Sequence, residues 1–303
     1  VMENWGLDPE SLRQDNPSLI YARISGYGQS GPYAKKPGFA SACEGISGFR
    51  YLNGYPDEVP VRPNLSLGDS VSGLHAVIGI MMALRARDQK TDEEPAQGQV
   101  VDVALYESMF NLLEAVIPEY HGADIIRQPS GTTVTGIVPT NTYICADGKH
   151  LVIGGNGDSI FTRLMQAIGR GDIAANESYA TNADRVLHET EIDTVLKAWC
   201  ANHTLADALT FLEFHRVPCG PVYNAEDMMN DQHFNERGLF EQVEINGEYL
   251  KIPAILPKLD NTPGGTEWPG PELGSHTDEV LVGLGLDEKA IADLKASGVI
   301  ADS

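Results

Sequence analysis

The feature that most narrows the possible folds is a change of apolar period, made twice within the first 113 residues. Ser18–Ser25 (SLIYARIS) is rich in β-branched and aromatic residues between Pro17 and Gly26, which predicts a buried strand. In Val71–Arg87 (VSGLHAVIGIMMALRAR), Val71, Leu74, Val77, Ile78, Met81 and Leu84 recur at helical spacing, and Arg85 and Arg87 sit in the last turn, where cations suit the helix dipole. Gln97–Leu105 (QGQVVDVAL) reads as strand again and runs straight into a helix through Leu113. Strand, helix, strand, helix in that order predicts a parallel α/β sheet.

Farther along, Thr142–Gly154 predicts a hairpin turning at Ala146-Asp147-Gly148, and Asp158 is a candidate cap for the helix that follows. Asp184–Ala201 and Leu205–Phe214 read as amphipathic helices. The expected organisation is a large domain over residues 1–130, a smaller α+β domain over 131–220, and a return to the large domain over 221–303. In that last part Phe240–Val243 and Tyr249–Ile252 are strand candidates. Two short helices close the chain, with Gly285 and Gly298 as candidate C-caps.

The 303 residues, 42% of them hydrophobic and 21% charged, suffice for a sizeable core. Lys and Arg number 21 against 43 Asp and Glu, a formal charge of -22. Such a surface repels a phosphate backbone, so nucleic acid is excluded as a partner, whereas a small anion needs only a local pocket. Cys43, Cys145, Cys200 and Cys219 lie far apart with no metal-site spacing, which fits a reducing cytoplasm and no metal. The longest apolar stretch, Val77–Leu84, is far short of the ~20 residues that cross a bilayer.

Single motifs are weak here. Gly26-Tyr27-Gly28-Gln29-Ser30-Gly31 follows a strand and matches G-x-G-x-x-G, but Pro32–Pro37 cannot supply the helix that a dinucleotide pyrophosphate needs. A turn is expected instead. Gly154–Asp158 lacks the ending of a phosphate loop and reads as a turn before a helix. Lys35-Lys36, the only basic pair, is a candidate contact for a ligand phosphate. His75, on the apolar side of its helix, is expected to be packed. Asp69, between Gly68 and Ser70 at the helix start, has two readings. It can cap the helix, or it can act as a nucleophile, since the ordinary aspartate pKa of ~3.9 leaves the group ionised at neutral pH without a base.

Four segments, NPSLIYARISGYGQSGPYAKKPGFA, SLGDSVSGLHAVIGIMMAL, VPCGPVYNAEDMMND and LGSHTDEVLVGLGLDEKAIADLKASGVI, together resemble the class III CoA-transferases, the carnitine and bile-acid (CaiB/BaiF) group. The resemblance implies a Rossmann-like CoA-binding large domain with a small α+β domain and an interlocked homodimer. It implies coenzyme A as the acyl-CoA substrate, and CoA transfer to a small carboxylic acid. Asp69 matches the family nucleophile, which forms an acyl-aspartyl anhydride and then an aspartyl-CoA thioester. Lys36 and Phe39 match CoA-site positions, and Gly131–Gly136 matches the glycine-bearing loop, with Gly136 as a binding residue. The family's opening segment is not matched, so the chain is expected to begin inside a domain, and a position often basic in relatives is Asn4. Two alternatives stand beside the transferase. One is an acyl-CoA racemase of the same fold, whose His-Asp pair is replaced here by Phe39-Ala40. The other is a truncated, non-catalytic subunit.

Overall fold

The computed structural model describes residues 2–89, 97–245 and 247–300. They fall into two compact units, Val1–Pro221 and Val222–Ser303.

In the first unit, α1 (Pro9–Asp15) leads to β1 (Tyr21–Ser25), α2 (Ala40–Ile46), α3 (Phe49–Leu52), α4 (Leu67–Asp88), β2 (Val100–Ala104), α5 (Leu105–Phe110) and α6 (Val116–Ala123). β1 and β2 pair in parallel, Tyr21 opposite Val100 and Ser25 opposite Ala104, with α4 as the crossover between them. The parallel α/β expectation holds. β1 is not buried as predicted: exposure alternates along it and Ile24 is 53% exposed, because α4 covers one face of this two-stranded ribbon and the described residues leave the other open.

The packing of α4 differs from the sequence expectation. Its apolar stripe is open, with Leu74, Val77, Ile78, Met81 and Met82 each more than half exposed. The buried side carries Gly68, Ser72, Ala76 and Ala83. Small residues win because they let the backbone approach β2: a Cβ on Gly79 would lie 2.6 Å from Val101 Cγ1. By length and composition α4 could cross a bilayer, but one side of it packs against β1, β2, α2 and α5.

The unit continues through β3 (Thr140–Ile144), β4 (His150–Gly154), α7 (Asp158–Ala167), α8 (Gly171–Ala174), α9 (Asn182–Val186), α10 (Glu189–Cys200), α11 (Leu205–Phe214) and β5 (Cys219–Pro221). The predicted hairpin is present, Ile144 opposite His150, and β5 adds a third antiparallel strand. Period-two alternation turns Tyr143, Leu151 and Ile153 inward. They meet Phe161, Leu164 and Met165 of α7, Ile192, Leu196 and Cys200 of α10, and Ala208 and Leu212 of α11 in one continuous core. Asp158 does not cap α7; Gly157 holds that position, and the Asp158 carboxylate accepts from the buried Arg185 at 2.8 Å. The predicted helix over 184–201 is two helices, broken at Leu187-His188.

The second unit holds α12 (Ala225–Asn230), α13 (Gln232–Glu236), the antiparallel pair β6 (Phe240–Ile245) and β7 (Glu248–Pro253), α14 (Thr277–Gly283) and α15 (Glu288–Ala296). Gly285 and Gly298 both adopt positive φ beyond the closing helices, as C-caps require.

Candidate active site

The Gly-rich segment after β1 makes no helix, and none begins before Ala40. It loops out and returns so that Gly38 lies against Gly26: a Cβ on Gly26 would be 3.0 Å from Gly38 Cα, and one on Gly38 would be 2.9 Å from the Tyr27 ring. This glycine-to-glycine contact sets the start of α2 at the end of β1. Cys43, one turn in, donates from Sγ to the Gly26 carbonyl at 3.2 Å.

The first turn of α4 rests on that same start of α2. A Cβ on Gly68 would be 3.1 Å from Ala40 Cβ and 3.5 Å from Glu44 Oε1. Asp69 is therefore the third residue of α4 rather than its cap; Ser66 stands at the cap position and makes no side-chain bond there. The Asp69 side chain reaches outward. The residue is exposed, and among the described residues no side chain hydrogen-bonds or ion-pairs with its carboxylate. Its charge is felt by the Cys43 thiol, which burial first, then Asp69 and Glu44, push above the usual thiol range. Cys43 is thereby held as a neutral thiol.

Lys36 and Phe39 flank Gly38 in the chain. Lys36 is exposed, with Nζ 3.5 Å above the Tyr33 ring, and Tyr33 stands edge-on to Tyr27 at 5.9 Å. Phe39, 86% exposed, occupies the residue before α2. Phe39 immediately precedes Ala40, and Gly68, the neighbour of Asp69, packs against Ala40, so Phe39 and Asp69 both adjoin the start of α2. Gly136 lies in the segment before β3. It adopts φ +81° and its carbonyl accepts from Asn182 at 2.8 Å. At the other end of this loop, the Gly131 N–H donates to the Gly54 carbonyl at 2.8 Å. Within the loop Thr132 donates to Asn141, which in turn donates to Asp193 at 2.7 Å. The loop is pinned to the β3–α10 core.

The sequence reading missed Glu44. It is wholly buried in α2, accepts from Arg50 Nη2 at 3.0 Å and from the Gly68 N–H at 3.4 Å, and so ties α2 and α3 to the helix that carries Asp69. His75 is half-buried as expected, with Nδ1 2.9 Å from the Val71 carbonyl.

A cavity of about 360 Å³ opens at the far end of α2, lined by Ile46, Tyr51, Phe110, Leu113, Ile117 and Arg127 among others. Asp69 does not line it, and Arg127 is already paired with Glu119. Among the described residues no group of three or more His, Cys, Asp or Glu side chains is placed to hold a metal ion.

Residues 1–277 match the family model described as CoA-transferase family III. The chain is 40% identical over 303 residues to the succinyl-CoA–D-citramalate CoA-transferase of Chloroflexus aurantiacus, covering 99% of this chain and 74% of that protein. It is 34% identical to the succinate–glutarate CoA-transferase of Agrobacterium fabrum, over 93% of this chain and 70% of the relative. Among solved structures, a CaiB/BaiF family protein from Brucella suis superposes with a TM-score of 0.76 at 28% identity, over 93% of this chain and 72% of that one.

Proposed function

The chain belongs to CoA-transferase family III, and from that premise we propose that it moves CoA from an acyl-CoA to a small carboxylic acid with Asp69 as the covalent carrier. The observation that carries this reading is the exposed Asp69 carboxylate, which has no side-chain partner among the described residues and stands in the first turn of a long helix. An aspartate so placed needs no base to become a nucleophile.

One carboxylate oxygen attacks the thioester carbonyl, the C–S bond breaks, and the CoA thiolate leaves a mixed anhydride. The thiolate attacks the aspartyl carbonyl and releases the donor acid, which carries away the bridging oxygen, and an aspartyl-CoA thioester remains. The acceptor carboxylate then attacks that thioester, and the freed thiolate takes the acceptor's acyl group. New acyl-CoA departs and Asp69 is restored. The developing oxyanions call for preorganised N–H donors. Of the first-turn groups of α4, the Gly68 N–H is taken by Glu44 and the Ser70 N–H by the Ser66 carbonyl, whereas those of Leu67 and Asp69 have no acceptor among the described residues.

For the CoA moiety, Lys36 offers an exposed cation beside an aromatic face in an otherwise acidic chain, which fits a phosphate contact, and Phe39 an exposed ring. We assign Gly136 to the same site on the family match. The pairs in the relatives' names, succinyl-CoA with D-citramalate and succinate with glutarate, support a short dicarboxylic donor and acceptor. The transferase is favoured over a racemase because Phe39-Ala40 supplies no imidazole for proton exchange. The same reading includes the three-part division at 130 and 220, a cytoplasmic location and a homodimer. An exposed apolar face as extensive as that of α4 is typical of surfaces that other polypeptide covers.

Intact-protein mass spectrometry after mixing with succinyl-CoA tests the reading. A CoA thioester adduct is expected on the wild type and none on Asp69→Ala. An adduct of equal yield on both rules Asp69 out.

A further inference from the structure

A carboxylate taken wholly out of water is costly unless both oxygens find donors. Glu44 has them from two directions: Oε2 accepts from Arg50 at 3.0 Å, and Oε1 accepts the Gly68 N–H at 3.4 Å. Arg50 also donates to Ser41 Oγ at 2.9 Å, so one ionic cluster joins α2, α3 and the first turn of α4. That turn has no local side-chain cap, since Ser66 makes no such bond. A negative charge at a helix N-terminus also suits the dipole. Gly68 is the residue immediately before Asp69, and it has no side chain because Ala40 and Glu44 occupy the space.

We propose that Glu44 is a positioning residue for the transfer reaction: it caps α4 from the neighbouring helix and so fixes where the Asp69 carboxylate stands. The inference rests on Asp69 being the nucleophile. Glu44 itself is buried behind the helix and touches no reacting atom.

The role requires a carboxylate, because both of its oxygens accept. A glutamine of the same shape offers one acceptor and one donor. Turned one way it sets N–H against the Arg50 guanidinium, and turned the other way it sets N–H against Gly68. Glu44→Gln is therefore expected to lower kcat about tenfold or more while KM for the acyl-CoA stays within about twofold, since a displaced nucleophile loses rate rather than binding. In Glu44→Gln/Arg50→Met the competing donor is gone. The amide can turn its carbonyl to Gly68, and kcat should return to within about threefold of wild type.

Circular dichroism and thermal melting establish that each variant is folded. If Glu44→Gln fails to fold, the double variant decides alone: kcat near wild type supports the proposal, and a loss of tenfold or more in the folded protein overturns it. Wild-type kcat in Glu44→Gln also overturns it. Asp69→Ala run alongside separates the two readings. With Asp69→Ala inactive and Glu44→Gln fully active, only the positioning role fails; with Asp69→Ala active, the nucleophile assignment fails first.

Discussion

The two halves of the first unit are held together differently. Between Val138 and Val217, strands and helices close over a continuous apolar core in which Leu151, Leu164, Leu196 and Leu212 are fully buried. Beside the helix start that carries Asp69, the buried apolar cluster among the described residues is Ala40, Cys43 and Leu105, with Tyr27 and Tyr106 against it. There the chain is fixed by backbone contact between glycines and by the Glu44–Arg50 pair. The first arrangement supplies stability through area removed from water. The second supplies placement, because contacts between backbones leave little room for adjustment.

The contrast predicts how each region responds to substitution. Leu196→Ala removes a fully buried side chain and should cost about 2–5 kcal/mol in denaturant unfolding; a loss below 1 kcal/mol would show that the core is looser than its burial implies. Gly26→Ala forces a Cβ to within 3.0 Å of Gly38 Cα, for which about 1–3 kcal/mol is expected. Turnover should fall further than stability alone explains, because the same contact seats α2 and, through it, Asp69.

Glu189, at the start of α10, makes the stability of the first region depend on pH. Burial, and then the charge of Asp193, raise its carboxyl above the ordinary range against a hydrogen bond from Thr133. The folded state thus binds this proton more tightly than the unfolded chain. Stability falls as pH climbs from the ordinary glutamate value through the raised one, and it is flat above. Glu189→Gln should melt higher than wild type at pH 7, with the difference closing as pH drops to the ordinary glutamate value. A difference independent of pH would contradict the assignment. The smallest effect on the chain by itself is expected on the open side of α4: Met82→Ala should change its stability by no more than about 0.5 kcal/mol where that side faces water, and by more where another polypeptide covers it.

The parallel β1–β2 pairing, the β3–β4 hairpin and the existence of α4 were legible because each follows from apolar period. Which face of α4 packs was not. Leu74, Val77, Ile78 and Met81 form the stronger apolar stripe, yet Gly68, Ser72, Ala76 and Gly79 allow the closer approach, and backbone proximity is invisible to a hydropathy pattern. The place of Asp69 in the first turn of α4 was legible, though it is the third residue of the helix and not its cap. Glu44 was not, since its partners Arg50 and Gly68 lie six and 24 residues away and meet it only after α2, α3 and α4 have packed.

In the proposed mechanism an oxygen of one carboxylate side chain is exchanged in every catalytic cycle. Acceptor acid labelled with ¹⁸O in its carboxylate, incubated with succinyl-CoA and enzyme through several turnovers, tests this by mass spectrometry of the proteolytic peptide that contains Asp69. The account predicts a mass increase of about 2 Da on that peptide after one turnover, rising toward about 4 Da after several as the two carboxylate oxygens take turns as the attacking atom, located at Asp69, because the bridging oxygen of the second anhydride stays with the aspartyl carbon. Label that reaches the released succinate while the Asp69 peptide stays unlabelled would mean that acceptor attacks donor directly, and would contradict the mechanism.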